Sequence, residues 1–115
     1  MSIDRIKPGA RYSSAVAFGD LVFLAGHVSH QPDASVFEQT KECLEAIDAD
    51  LAAAGSDKSK LLTVQIWLTE ISTFDEMNRA WDAWVDTSNL PARATVESRL
   101  AGPEYKVEIG GVAAR

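Results

Sequence analysis

Pro91-Ala92-Arg93-Ala94-Thr95-Val96-Glu97-Ser98-Arg99-Leu100 is the stretch from which the rest of the chain can be read outward. Side chains alternate across a strand, so Ala94, Val96, Ser98 and Leu100 share one face while Arg93, Thr95, Glu97 and Arg99 share the other. The first face is expected to be core and the second polar. Pro91 has no backbone donor and is best tolerated at a strand's first residue or on an edge. It therefore sets Arg93 near the strand mouth, within reach of a ligand. After a Gly102-Pro103 turn, Tyr105, Val107 and Ile109 alternate with Lys106 and Glu108 as a second strand. Paired as neighbours, the two strands would place Arg93 and Glu108 on one face, a cation and a carboxylate flanking one cleft.

Working back along the chain, Thr73-Phe74-Asp75-Glu76 has the form of a capping box. Phe74, Met77, Trp81, Trp84 and Val85 follow at helical spacing, and Asn89-Leu90-Pro91 closes that helix. Before it, Leu61 to Leu68 reads as a strand with Leu62, Val64, Ile66 and Leu68 on one face. Leu61 and Trp67 fall on the other, beside Thr63 and Gln65. A strand apolar on both faces wants cover on both, which hints at an interface. Ser35-Val36-Phe37-Glu38 is another capping box, opening a helix whose stripe is Phe37, Thr40, Leu44, Ile47, Leu51 and Ala54, with Gly55 as its stop. His27 to Ala34 reads as a connection. Ser14–Phe18 and Leu21–Ala25 read as a hairpin around Gly19-Asp20. Residues 1–10, with Pro8-Gly9, read as an N-terminal arm with a turn. The expected order is β-β-α-β-α-β-β, with room for a third short strand near the start. That is an α+β domain over residues 1–115, one mixed sheet covered by two helices.

A chain of 115 residues supports one modest core. Its 46% hydrophobic and 24% charged residues are those of an ordinary globular protein, with no span apolar enough for a membrane. Eleven basic against seventeen acidic residues give a net charge of −6 and a pI near 4.8. This argues against nucleic acid as a partner, because phosphate binding needs a basic face. The single cysteine, Cys43, excludes an intramolecular disulfide framework, and the N-terminus shows no secretory apolar run. A reducing cytoplasm is the expected compartment.

Arg93 can hold a carboxylate through two parallel hydrogen bonds, with an orientation a lysine cannot reproduce. From spacing alone the favoured reading is a surface strand arginine paired with Glu97 or Glu108. Glu108 can position water or accept a proton, or be a solvated glutamate balanced by Lys106. His27 and His30 lack further acidic or thiolate partners at ligand spacing, so they are read as loop residues rather than a metal site. Cys43, beside the first helix stripe, is read as buried and unreactive. Trp81 and Trp84 are read as core.

Pro91-Ala92-Arg93 and Lys106-Val107-Glu108-Ile109, together with the Trp81-Asp82-Ala83-Trp84 helix, resemble the signatures of the Rid (YjgF-type) family, the reactive intermediate or enamine/imine deaminases. The resemblance runs from Tyr12 to Ala114. It implies a chorismate-mutase-like fold and a homotrimer whose sheets form a central barrel, with ligand clefts between subunits. Trp67 and Gln65 would face that barrel. It further implies that Arg93 grips the carboxylate of a 2-imino acid and that Glu108 positions or activates the attacking water. Tyr12 would help close the cleft, Asn78 would approach it from the second helix, and backbone groups near Gly26 and Thr95 would complete it. No metal or organic cofactor is implied, because a protonated imine is already a good electrophile. Thr95 stands where the best-studied branch has cysteine, and Ala25-Gly26-His27 where it has Ser-Gly-Gln. Thr95 keeps a hydroxyl for anion binding, whereas Ala25 offers no side-chain hydrogen bond. The implied activity is hydrolysis of 2-imino and enamino acids to 2-oxo acids and ammonia. The alternative is a trimeric binding module for small carboxylates.

Overall fold

The computed structural model describes residues 1–115. Its strands are β1 (Ile3–Pro8), β2 (Ser13–Phe18), β3 (Leu21–Val28), β4 (Leu61–Leu68), β5 (Ala92–Glu97) and β6 (Val107–Ala114). Its helices are α1 (Val36–Ala53) and α2 (Phe74–Trp84). The six strands form one sheet in the order β1-β2-β3-β6-β4-β5. All neighbours are antiparallel except β4 and β5. A parallel pair needs a crossover, and α2 supplies it. Helix α1 likewise carries the chain from β3 across β6 to β4.

Both helices lie on one face. Ala15, Ala17, Val22, Val64, Ile66, Leu68, Val107 and Ile109 meet Leu44, Ile47, Leu51, Met77 and Trp81 there, all buried. The opposite face is open and strongly apolar: Phe18, Leu21, Phe23 and Val96 remain 39–49% exposed. A single chain thus leaves one side of its sheet without cover.

Several sequence expectations are met. Gly19, at φ +59, turns the β2–β3 hairpin, and Gly55, at φ +79, follows the end of α1. The Ser35 side chain caps α1 by accepting from the Glu38 amide at 3.2 Å. Other expectations are corrected. The N-terminal arm contains β1, whose Ile6 lies opposite Ala15 and is buried. The second capping box does not form: Thr73 makes no cap bond, and Glu76 instead accepts from the Phe37 amide at 2.9 Å, tying α2 to the positive end of α1. β3 continues past Gly26 to Val28 through an irregularity between Leu24 and His27. A register shift in β4 buries Leu61 and exposes Leu62, the reverse of strict alternation. β5 stops at Glu97, and β6 starts at Val107 and runs through Gly110-Gly111 to Ala114.

The largest correction concerns the stretch from Pro91 to Leu100. β5 and β6 are not neighbours, since β4 lies between them. Arg93 pairs with Val64 and Thr95 with Ile66, so the arginine face looks toward the helices. Glu108 pairs with Trp67, on the open face with Ala94 and Val96. β5 is an edge strand whose apolar residues lie on the uncovered side of the sheet, so the face expected to be core is the one left open. Arg93 and Glu108 therefore sit on opposite faces of one subunit.

Candidate functional site

Arg93 is placed by a small aromatic frame. Its Nη1–H donates to Asn78 Oδ1 at 2.8 Å, and its guanidinium lies 5.1 Å from the Trp81 ring centre and 5.7 Å from that of Phe74. Stacking and one hydrogen bond fix the plane of the fork while leaving other donors free. Burial pushes the guanidinium's pKa down, against the opposing charge of Asp82, and a group of such high intrinsic pKa stays cationic throughout. The ion pairs of the chain are Lys7–Asp50 and Arg115–Asp4, with His27 near enough to Asp50 to form a third only when protonated. Arg93 thus has no carboxylate of its own, which removes its structural role as partner to Glu97 or Glu108. Glu97 instead accepts from the Ile71 amide at 3.0 Å.

Thr95 lies two residues along β5, on the same face. Its Oγ1 is buried and has no hydrogen-bond partner. A buried hydroxyl without a partner is costly, and a bound carboxylate oxygen would satisfy it. Arg93 and Asn78 are thus brought together, and Thr95 shares their side of the sheet without lining the cleft in front of Arg93. The cleft in front of Arg93 is bordered by Asp82 and Leu90.

Glu108, Gly26 and Tyr12 form a second group. Glu108 lines a cleft with Tyr12, Ala25, Gly26, Ala101 and Tyr105. Its carboxylate lies directly over Gly26: a Cβ built there would come 2.1 Å from Oε2. Lys106 does not balance it, since the Lys106 Nζ donates to the Ala34 carbonyl at 2.6 Å. Tyr12 stands at the rim, 70% exposed. Gly26→Ala is accordingly expected to preserve the fold, because only the tip of a flexible side chain must give way, while displacing the carboxylate. Loss of activity at an unchanged melting temperature would support this; unchanged activity would show that the orientation of Glu108 is immaterial.

Two buried polar side chains escaped the sequence reading. Gln39 on α1 donates to the carbonyls of Gln31 and Glu104, both at 3.1 Å, and accepts from the Lys106 amide at 2.9 Å, fixing the approach to β6. Asp50, 1% exposed, accepts from Lys7 Nζ at 3.1 Å and from Ser14 Oγ, with His27 Nε2 at 2.9 Å. His27 approaches Asp50 at ion-pair distance without hydrogen-bond alignment. The signal was present as polar residues bordering an apolar helix stripe, but a stripe does not name their partners. His27 is therefore part of β3 and of this network rather than a loop residue.

Burial pushes the His27 pKa below its ordinary 6.5, outweighing the opposing pull of Asp50, with Lys7 lowering it and Glu108 raising it further. An imidazole depressed in the folded state contributes stability that is complete above 6.5 and is lost as pH falls through the lower folded value. Urea denaturation between pH 7 and pH 5 should show this loss in the wild type and a flatter profile in His27→Gln. Identical slopes would contradict it. Cys43 is buried and 3.2 Å from the His27 carbonyl, and its thiol is pushed up to about 12, chiefly by desolvation. It is no nucleophile at neutral pH.

Residues 2–115 match the family described as endoribonuclease L-PSP. The chain is 46% identical over 110 residues to a RutC family protein of Haemophilus influenzae, covering 95% of each. It is 45% identical over 114 residues to the RutC family protein YoaB of Escherichia coli, covering 99% of each. The crystal structure of NMB1025, a YjgF family member from Neisseria meningitidis, superposes with a TM-score of 0.96 at 43% identity, over 100% of this chain and 96% of that one.

Proposed function

The chain belongs to the YjgF/RutC (Rid) family, and on that footing we propose that it hydrolyses 2-imino acids and their enamine tautomers to 2-oxo acids and ammonia. The observation that carries this reading is a pinned guanidinium that makes no ion pair within its own chain, on the same strand face as the partnerless hydroxyl of Thr95. Such a pair suits a small carboxylate, whose two oxygens can take the arginine fork and the hydroxyl.

The opposed placement of Arg93 and Glu108 favours a site built by two subunits. One subunit contributes Arg93, Asn78 and Thr95; its neighbour contributes Glu108, Gly26 and Tyr12. The open apolar sheet face, with Phe18, Leu21, Phe23 and Val96 exposed, supports association into a homotrimer around a central barrel.

In the proposed reaction Arg93 holds the substrate carboxylate and so fixes the neighbouring imine carbon. Glu108 accepts a proton from water as its oxygen bonds to that carbon and the C=N electron pair moves to nitrogen. With the imine protonated at the start, the resulting carbinolamine takes the proton back from Glu108 on its amino group. The C–N bond then breaks, its electron pair leaving with ammonia, and the hydroxyl gives its proton to Glu108 as the 2-oxo group forms. Proton transfer by a positioned carboxylate typically contributes about 10²–10⁴-fold. An RNA-cleaving reading is disfavoured by the −6 charge. The test is the rate at which enzymatically generated 2-iminopropanoate disappears, with semicarbazide as competing trap. Accelerated loss supports the proposal; saturable binding of 2-oxobutanoate with no acceleration would replace it with a carboxylate-binding module.

A further inference from the structure

Resting on the imine-hydrolase reading, we infer that the cleft beside Tyr12 is a subsite for a second, distal carboxylate, so that 2-imino dicarboxylic acids are the preferred substrates. This cleft, of about 460 Å³, is lined by Lys7, Arg11, Ser14, His27 and His30 together with Gly9 and Ala10. It adjoins the Glu108 cleft, with which it shares Tyr12, Gly26 and Val28. A substrate whose imine carbon faces Glu108 would therefore extend its side chain past Gly26 into it.

The charge of its walls stands apart. The chain carries a net −6, Asp82 borders the Arg93 cleft, and Glu108 itself borders the neighbouring one, yet no carboxylate lines this cleft. The nearest acid, Asp50, lies beneath the wall at 1% exposure and is already engaged by Lys7, Ser14 and His27. Its charge offsets one cation and leaves Arg11 in excess. The His30 imidazole adds an N–H donor that an oxyanion can use without the ring carrying charge, whereas the His27 Nε2 is turned to Asp50.

Lys7 supplies an independent observation. It is the one non-glycine residue at positive φ, +48, and it precedes Pro8. L side chains adopt this region rarely, and a residue before proline favours extended backbone. Strain of this kind persists where the surrounding structure holds it and clusters at ligand sites. Here it brings the Lys7 ammonium to the cleft wall above Asp50 while leaving the side chain 57% exposed.

The test compares kcat/KM for 2-iminosuccinate, generated by an aspartate oxidase, with that for 2-iminopropanoate, in wild type, Arg11→Gln and Lys7→Gln. Arg11→Gln is expected to lower the dicarboxylate-to-monocarboxylate ratio tenfold or more. Lys7→Gln, which also disturbs Asp50, should lower it in the same direction. A wild type that turns over both imines with a ratio unmoved by either substitution would overturn the subsite and leave the hydrolase reading intact. If the wild type turns over neither imine, the hydrolase reading falls, and succinate titration followed by amide chemical shifts decides the subsite alone. Shifts at Gly9–Tyr12 and His27 that vanish in Arg11→Gln would uphold it as an anion site; their absence would remove it.

Discussion

Arg93→Ala is expected to reduce kcat/KM for 2-imino acid hydrolysis at least a hundredfold while leaving the protein folded. Removing the cationic partner of a substrate carboxylate costs about 3 kcal/mol, which corresponds to about a hundredfold in rate. The effect should fall on binding and orientation together, because the fork fixes both. Arg93→Lys should recover only part of the loss, since an ammonium is a point charge without the planar pair of donors. The fold should survive, because the guanidinium makes a single hydrogen bond, to Asn78, on an edge strand. Trp81 and Phe74 lose a stacked neighbour but keep their other contacts. A variant with a native circular dichroism spectrum and undiminished imine consumption would remove Arg93 from the mechanism.

The largest loss of stability is expected at Gly111. This residue lies in β6, between β3 and β4, and a Cβ added there would come 2.3 Å from the Thr63 carbonyl oxygen and 3.1 Å from the Val64 Cα. Both obstacles are backbone in a central strand pair, so neither can yield without parting the ladder. Gly111→Ala should cost about 3 kcal/mol, at the upper end of overpacking effects. For a domain of this size that is roughly 10 °C or more in melting temperature at fixed protein concentration. Gly110→Ala is a fitting comparison, since its Cβ would approach the Ala25 carbonyl only to 3.2 Å. A Gly111→Ala protein that melts with the wild type would show that β6 sits further from β4 than described.

The elements were legible because their signals are local. Ser35 and Glu38 announce α1, Gly19-Asp20 announces the hairpin, and the stripe from Leu44 to Leu51 names the buried helix face. Strand neighbours were not legible, because pairing is decided by long-range contacts that periodicity does not contain. Arg93 and Glu108 were both singled out as candidates from their strand positions, but their shared face followed from an assumed β5–β6 pairing that β4 prevents. The doubly apolar character of β4 did point to an uncovered sheet face, and that face carries Phe23 and Val96 exposed. Asn78 reads from spacing as a helix-surface amide, and only the crossover geometry reveals its bond to Arg93. The Asp50 network was invisible for the same reason, since its members are 36 to 43 residues from Asp50 along the chain at Ser14 and Lys7.

The proposal that Arg93 of one subunit works with Glu108 of another can be tested by complementation. Arg93→Ala and Glu108→Gln proteins, each inactive alone, are mixed in equal amounts, unfolded, refolded together and assayed for 2-iminopropanoate hydrolysis. In randomly reassembled trimers about one site in four unites an intact Arg93 with an intact Glu108 from its neighbour, so about a quarter of wild-type activity should return. If both residues acted within one chain, every site would lack one of them, and the mixture would stay as inactive as its parents.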